Sequence, residues 1–171
     1  LIEAGNVAKA RAIMSQIGYT ENDMNYIGDD DLYNFQGVAN PHSVANIKRG
    51  EVVLDIGSGL GIDSFLAMRG SGADANEVSG SSPFVVGVDL AGSEVNHATK
   101  RASERGYNVP ERIQFIRGDV EKLDEAFFKN NLQMETFDVC ISNGAFCLVP
   151  DKHQAFVNLY KALKSGGRMA I

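Results

Sequence analysis

One stretch, residues 51–63, constrains the fold of this chain more than any other. It reads Glu-Val-Val-Leu-Asp-Ile-Gly-Ser-Gly-Leu-Gly-Ile-Asp. The apolar run at residues 52–54 predicts a buried strand, and the three alternating glycines predict a turn with few side chains. Apolar residues at helical spacing follow over residues 62–69, so the turn opens a helix whose free amide groups face the glycines. Strand, turn and helix together therefore predict a place where a ligand approaches the backbone.

The rest of the chain repeats this alternation of strands and helices. Further strands are predicted at residues 84–88, 113–116 and 137–142, with a fifth beginning near Arg168 after a turn at residues 165–167. Helices are predicted at residues 93–102, capped by Ser93, and at residues 123–132 and 156–163. This order predicts an α/β fold with a doubly wound, mostly parallel sheet and right-handed crossovers.

The first 42 residues differ from this pattern. Residues 1–17 have the periodicity of an amphipathic helix, and residues 19–40 are acidic but contain Tyr26, Tyr33 and Phe35. We expect an N-terminal helix and lid segment at residues 1–42 and the main domain at residues 43–171, although the aromatic residues also fit a packed surface loop. Residues 70–83 are predicted to form a solvated loop. The chain does not begin with Met and stops just after the turn at residues 165–167, so we expect a piece of a longer protein, truncated after the fifth strand.

Composition narrows the class of protein. The 171 residues carry a net charge of −6 and are 44% hydrophobic, which is typical of a single soluble domain and disfavours nucleic acid as a partner. No run approaches the roughly 18 to 20 apolar residues of a membrane helix, and the start lacks a signal peptide, so a cytoplasmic location is predicted. The two cysteines, Cys140 and Cys147, have neither zinc-site spacing nor a disulfide framework, and we predict reduced thiols and no metal site.

Polar residues follow four successive predicted strands. They are Asp55 before the glycines, Asp89, Asp119, and the sequence Ser142-Asn143-Gly144. Any one of them is explained equally well by a helix cap or a solvated turn. Because the carboxyl ends of parallel strands meet at one edge of the sheet, the four together predict a ligand site there.

The glycine spacing distinguishes between two adenosine cofactors. A nicotinamide-binding turn reads Gly-x-Gly-x-x-Gly, whereas here the third glycine comes one residue early and Ile62 takes its place. Asp55 would repel a pyrophosphate but suits an ammonium group, so an adenosyl amino acid is favoured. Asp89 is placed to accept hydrogen bonds from ribose hydroxyls, as in both classes of site. Asp119 is placed to bind the adenine amino group while Val120 packs against the ring.

These motifs resemble those of class I S-adenosylmethionine-dependent methyltransferases, over roughly residues 51–171. The similar motifs are Val-Leu-Asp-Ile-Gly-Ser-Gly-Leu-Gly, Gly-Val-Asp-Leu, Gly-Asp-Val-Glu-Lys-Leu and Ser-Gly-Gly-Arg. The resemblance implies a Rossmann-like fold and S-adenosylmethionine as cofactor, with Gly57 to Gly59 at its methionine portion and Ser142 and Asn143 facing the sulfonium. The full set of expected cofactor-binding residues is Asp55, Gly57, Ser58, Gly59, Gly61, Asp89, Leu90, Asp119, Val120, Ser142 and Asn143.

A narrower resemblance concerns the methyl acceptor. Residues 37–41 and 141–152 are similar to those of arsenite methyltransferases and of related enzymes that methylate quinone precursors, but the arsenic-binding thiols of that group would fall at Val38 and Gly144. We therefore expect methyl transfer to a small molecule without arsenic chemistry. The alternatives are a non-catalytic cofactor-binding module and a nicotinamide oxidoreductase. No acid–base pair is evident; His42 is the best placed histidine, and Tyr26, Tyr33 and Phe35 are candidates to close over the sulfonium. The acceptor and the oligomeric state stay open.

Overall fold

The computed structural model of the protein describes residues 4–74 and 84–171. The helices are α1 (Ala4–Gln16), α2 (Glu21–Ile27), α3 (Asp29–Leu32), α4 (His42–Ala45), α5 (Ile62–Ser71), α6 (Gly92–Glu104), α7 (Leu123–Lys129) and α8 (Lys152–Ala162). The strands are β1 (Val53–Ile56), β2 (Val85–Asp89), β3 (Ile113–Arg117), β4 (Phe137–Ser142) and β5 (Leu163–Ala170). Short 3-10 turns follow β3 and β4, at Val120–Lys122 and Ala145–Cys147.

The sheet is parallel throughout, with its five strands in the order β3-β2-β1-β4-β5. Val53 of the central strand β1 pairs with Val85 on one side and with Val139 on the other. The chain reverses its direction of winding between β1 and β4, and that is where ligands bind in doubly wound sheets. The predicted fold is confirmed, and the polar strand ends lie along one edge.

Two apolar layers hold the helices against the sheet. One face carries Val53, Val85 and Val139 and is covered by α1 to α3, α5 and α6, and Phe65 is fully buried there. The other face carries Leu54 and is covered by α7 and α8. Burying a side chain of this size stabilises the fold by about 1.5 to 3 kcal/mol, so these layers fix the strand ends in place.

The N-terminal helices belong to the first of these layers. Met14, Met24 and Leu32 lie in the same buried cluster as Phe65 of α5. Asp31 of α3 adds ion pairs to the carboxyl end of α6, one with Arg101 at 3.1 Å and one with Arg105, the residue that follows the helix. The predicted N-terminal helical cover is therefore fixed to the sheet domain. The predicted boundary between residues 42 and 43 falls inside α4.

Several local predictions differ from the structure. The helix predicted at residues 123–132 ends at Lys129, and the turn predicted at residues 165–167 lies inside β5. Ser93 does not cap α6, which begins at Gly92, because Asp89 accepts the hydrogen bond of the Ala91 amide just before the helix. The predicted loop at 70–83 begins too early, since α5 continues to Ser71, and its residues 75–83 lie outside the described residues. β5 begins at Leu163, which pairs with Phe137, and the register with β4 shifts before Arg168 pairs with Val139.

In the described part of the chain, no helix is both long enough and apolar enough to span a membrane.

Candidate ligand-binding site

The three glycines after β1 form a turn that is braced on two sides and open on the third. Gly57, Gly59 and Gly61 have φ angles of 71°, 51° and 88°, which glycine adopts without strain. A Cβ on Gly57 would lie 2.2 Å from the Cβ of Ala145, and one on Gly61 would lie 2.8 Å from the Phe115 ring. A Cβ on Gly59 would meet no described atom within 4 Å. The turn therefore leaves room for a ligand at Gly59.

Asp89, at the end of β2, fixes this turn with one oxygen. The Gly59 amide donates to its Oδ2 at 2.8 Å, and the Ala91 amide donates to its Oδ1 at 2.9 Å. A carboxylate offers about four acceptor positions, so acceptor capacity remains where a ribose diol is predicted. The neighbouring Leu90 is 65% exposed and forms part of the surface beside it.

Asp119 and Val120 follow β3 and differ in accessibility. The Glu121 amide donates to Asp119 Oδ1 at 2.9 Å, and Oδ2 of Asp119 has no hydrogen bond to any described residue. Val120 is only 8% exposed, and its carbonyl accepts a hydrogen bond from Asn158 of α8. Asp119 thus has a free oxygen for a ligand, whereas Val120 is mainly part of the core.

Asp55 is buried beneath the turn. It is 1% exposed, and the Ser64 hydroxyl donates to its Oδ2 at 2.6 Å. Burial, reinforced by the negative charge of Asp63, raises the pKa of Asp55 to about 8. In this arrangement the carboxyl is mostly neutral at pH 7, so its contact with an ammonium group stays a prediction.

Ser142, the last residue of β4, is turned into the sheet. It is 4% exposed, and its hydroxyl donates to the Ile56 carbonyl of β1 at 2.8 Å. The hydroxyl therefore ties β4 to β1. Its predicted place beside the sulfonium stays untested.

Asn143 contacts the N-terminal segment with every polar atom of its side chain. Its Oδ1 accepts from the amides of Val38 at 2.8 Å and Ala39 at 3.1 Å. Its Nδ2 donates to the Tyr19 hydroxyl and to Asp63 Oδ2, both at 3.0 Å. This side chain joins the end of β4 to residues 38 and 39.

Asp63 is the centre of this polar cluster. It lies in the first turn of α5 and is 8% exposed. The Tyr19 hydroxyl donates to its Oδ1 at 2.6 Å, and His42 Nε2 lies 3.1 Å from the same oxygen. Burial and the charge of Asp63 raise the pKa of Tyr19, which keeps its hydroxyl a hydrogen-bond donor. Sequence reasoning selected His42 but missed Asp63 and Tyr19, because an acid in a first helical turn also fits a simple dipole effect.

The predicted aromatic cover is only partly in place. Phe35 lies at the site, with its ring 5.4 Å from that of Tyr19, while Tyr33 is 46% exposed. The hydroxyl of Tyr26 bonds to Tyr107 and to Asp74, which follows the carboxyl end of α5. That end of α5 lies at the opposite edge of the sheet, so the hypothesis that Tyr26 closes over the sulfonium is wrong.

A parallel sheet of this order, with a glycine turn after β1 and an acid at the end of β2, defines a class I methyltransferase fold. The chain belongs to the family of methyltransferase domains, whose family model matches residues 47–171.

Curated relatives and solved structures agree with this family. The chain is 32% identical over 156 residues to the arsenite methyltransferase of Halobacterium salinarum, covering 91% of this chain and 35% of that protein. It is 30% identical to the sterol 24-C-methyltransferase of Saccharomyces cerevisiae, covering 74% of this chain and 28% of that protein. The chain thus spans about a third of the length of these relatives.

Among solved structures, an arsenic (III) S-adenosylmethionine methyltransferase from Chlamydomonas reinhardtii is similar, with a TM-score of 0.63 and 28% identity. That alignment covers 94% of this chain and 46% of the algal protein. A SAM-dependent methyltransferase from Aquifex aeolicus has the same fold, with a TM-score of 0.57 and 19% identity over 73% of this chain and 58% of that one.

The residues present fit S-adenosylmethionine, the cofactor of this family. Gly59 leaves open space, Asp89 keeps acceptor capacity beside it, and Asp119 keeps acceptor capacity after β3. The Ser58 hydroxyl, in the middle of the turn, is buried without a hydrogen-bond partner among the described residues. Such a group is costly unless a ligand or water completes it.

Proposed function

We propose that the protein transfers a methyl group from S-adenosylmethionine to a small-molecule acceptor. The observation that carries this proposal is the glycine turn, open at Gly59 and fixed to Asp89 across the ends of β1 and β2. A net charge of −6 supports a small molecule rather than nucleic acid as the acceptor. The proposal includes the predicted cytoplasmic location.

Three residues have distinct roles in holding the cofactor. Gly59 lets the ligand reach the backbone, Asp89 accepts hydrogen bonds from the ribose, and Asp119 accepts one from the adenine amino group. The amide groups at the start of α5 add a positive dipole end near the turn. Leu90 and the remaining turn glycines shape the surface around these contacts.

The bound cofactor supplies a methyl group on a positively charged sulfur, which is reactive toward a nucleophile in line with the carbon–sulfur bond. The protein contributes position, which alone supplies much of the rate when reacting atoms are held about 3 to 3.5 Å apart. His42 directs Nε2 at Asp63, and the raised pKa of Tyr19 keeps its hydroxyl protonated. Tyr19 is therefore not a base, and we propose an acceptor that is nucleophilic without strong activation.

The residues on the acceptor side of the site support a methyl acceptor other than arsenic. The arsenic-binding thiols of the arsenite methyltransferases would fall at Val38 and Gly144. These positions are neighbours, since a Cβ on Gly144 would lie 3.8 Å from Val38 Cγ1, but neither residue carries sulfur. Cys147 is exposed, and its thiol donates to the Gly144 carbonyl. Cys140 is buried in β4, and burial raises the pKa of its thiol. A single accessible thiol is a poor site for As(III), which prefers several.

Cofactor binding is tested by calorimetry with S-adenosylmethionine and with NAD. We expect the first to bind and the second not to bind. Asp89→Asn should weaken S-adenosylmethionine binding about ten- to a hundredfold, because it removes the charge from a ligand hydrogen bond. Asp124→Asn, at an exposed acid of α7, is the matched control and should leave the affinity unchanged. Binding of NAD instead would overturn the proposal.

Methyl transfer is tested with labelled S-adenosylmethionine over a panel of quinols, sterols, thiols and arsenite. We expect transfer to at least one organic class and none to arsenite. Cofactor binding without transfer to any of them would favour the non-catalytic module.

A further inference from the structure

The Asn143 side chain has no hydrogen-bonding capacity left for a ligand. An asparagine amide has two donor hydrogens and two acceptor lone pairs. The oxygen accepts from Val38 and Ala39, and the nitrogen donates to Tyr19 and Asp63. All four positions are therefore used within the protein, although Asn143 lies at the strand end where ligands bind.

The backbone of residues 37–40 lies directly on this side chain. A Cβ on Gly37 would come within 2.2 Å of Asn143 Nδ2 and 2.4 Å of the Phe35 ring. Glycine is thus required for this approach. Asn40 fixes the far end of the segment, since its Nδ2 donates to the Gly18 carbonyl at 2.8 Å. The segment forms a wall across the carboxyl end of β4.

Asp63 connects the same wall to the glycine turn. It lies two residues after Gly61, the residue that precedes α5, and it bonds to Asn143 and to Tyr19. A structural change in the glycine turn is therefore transmitted to residues 38 and 39 through the side chains of Asp63 and Asn143. Tyr19 and Asp63 are buried and Asn143 is partly buried, so breaking a link among these three leaves its partners unsatisfied, whereas Val38 and Ala39 are exposed.

We infer that Asn143 is a positioning residue: with Asp63 it holds residues 37–40 as the acceptor-side wall and couples that wall to the cofactor turn. This inference rests on the proposed cofactor site. Binding at the turn restrains the start of α5, and the Asp63–Asn143 link transmits the restraint to the amides of Val38 and Ala39. Coupling of this kind is reciprocal, so loosening the wall weakens cofactor binding by the same factor.

The test is hydrogen exchange of the Val38 and Ala39 amides in the full chain, with and without S-adenosylmethionine. In the wild type we expect the cofactor to slow exchange at both amides. Asn143→Ala should speed their exchange about tenfold or more without cofactor, the value of one lost hydrogen bond, and should abolish the effect of the cofactor. Asn130→Ala, at a half-buried asparagine whose Nδ2 bonds to the Ala126 carbonyl, is the matched control and should behave as the wild type.

Calorimetry separates positioning from direct contact. We expect Asn143→Ala to lose S-adenosylmethionine affinity by no more than the factor by which the cofactor slows exchange. A much larger loss of affinity, with exchange of the Val38 and Ala39 amides unchanged, would mean that Asn143 contacts the ligand directly and would overturn the inference. Wild-type exchange rates that are the same with and without the cofactor would also overturn it. Tyr19→Phe keeps the Asn143 bonds to Val38 and Ala39 but cuts one link to Asp63; it should reduce the cofactor effect even if Asn143→Ala does not fold. If the wild type binds no cofactor, the proposed function fails, while exchange without cofactor still tests whether Asn143 holds the wall.

Discussion

Asp55 and Asp63 show how two nearby acids acquire different environments. Asp55 lies in the sheet with one hydroxyl partner, and burial raises its pKa to about 8. Asp63 lies at the start of a helix and receives hydrogen bonds from Tyr19 and Asn143. Both side chains are buried, and they differ in their hydrogen-bond donors, which the residue types alone do not reveal.

The raised pKa of Asp55 predicts a pH-dependent stability. The pKa of an unfolded aspartate is about 3.9, so between about pH 4 and pH 8 only the folded state holds this proton. The free energy of unfolding should therefore fall by about 1.4 kcal/mol per pH unit as the pH rises through this window, and level off above it. Asp55→Asn removes the titrating group, so its free energy of unfolding should not show this fall. The variant should therefore become more stable relative to the wild type as the pH rises.

Urea unfolding at four pH values between 5 and 8 measures this difference. Asp124→Asn is the control and should follow the wild-type curve. Parallel curves for Asp55→Asn and the wild type would contradict the assignment.

At the scale of elements, local patterns predicted most strands but not the connections between them. The bounds of β4 were predicted correctly, because an apolar run between polar residues is a local signal. The polar cluster was not predicted, since Tyr19 and Asp63 are 44 residues apart and Asn143 and Asp63 are 80 apart. Periodicity describes which face of an element is buried, and it holds no information on which side chains meet across such distances.

The turn after β1 predicts different effects for two similar substitutions. Gly57→Ala places a Cβ 2.2 Å from Ala145, whereas Gly59→Ala places one in open space. In both variants the positive φ of the alanine should lower the free energy of unfolding by about 1 to 2 kcal/mol. Overpacking should lower it by about 1 to 3 kcal/mol more in Gly57→Ala. Gly59→Ala should be the milder change for stability but should still weaken S-adenosylmethionine binding, because its methyl group enters the ligand space.

Urea unfolding and calorimetry on both variants test this order. Equal losses of stability, or unchanged affinity in Gly59→Ala, would contradict the description of the turn.

At the scale of the whole molecule, the outer edge of β5 is unpaired within residues 4–74 and 84–171. A pocket of about 360 Å³ lies elsewhere, over α6, but the larger one, of about 600 Å³, runs beside β5 and includes Tyr160 and Met169. Tyr160 is 77% exposed and Met169 is 37% exposed. An open strand edge beside apolar side chains favours pairing with another chain.

We therefore expect the 171-residue chain to associate with increasing concentration. Met169→Lys should shift it toward the monomer, because a lysine on an edge strand opposes pairing. Phe128→Lys, at a side chain on α7 that is 85% exposed, should leave association unchanged. Light scattering across a concentration series measures the difference, and equal association of all three proteins would contradict the expectation.

The order of the strands also determines when the ligand cleft is completed during folding. The Asp89–Gly59 bond joins residues 30 apart, within the contiguous unit β1-α5-β2. The Ser142–Ile56 bond, which brings β4 to β1, closes a loop of 86 residues, and loops of greater length close at a higher entropic cost. We expect the Asp89 side of the cleft to form early and the Asn143 side to form late. A ligand that contacts only the Asp89 side can bind before folding is finished, whereas a ligand that contacts both sides can bind only after β4 has paired with β1.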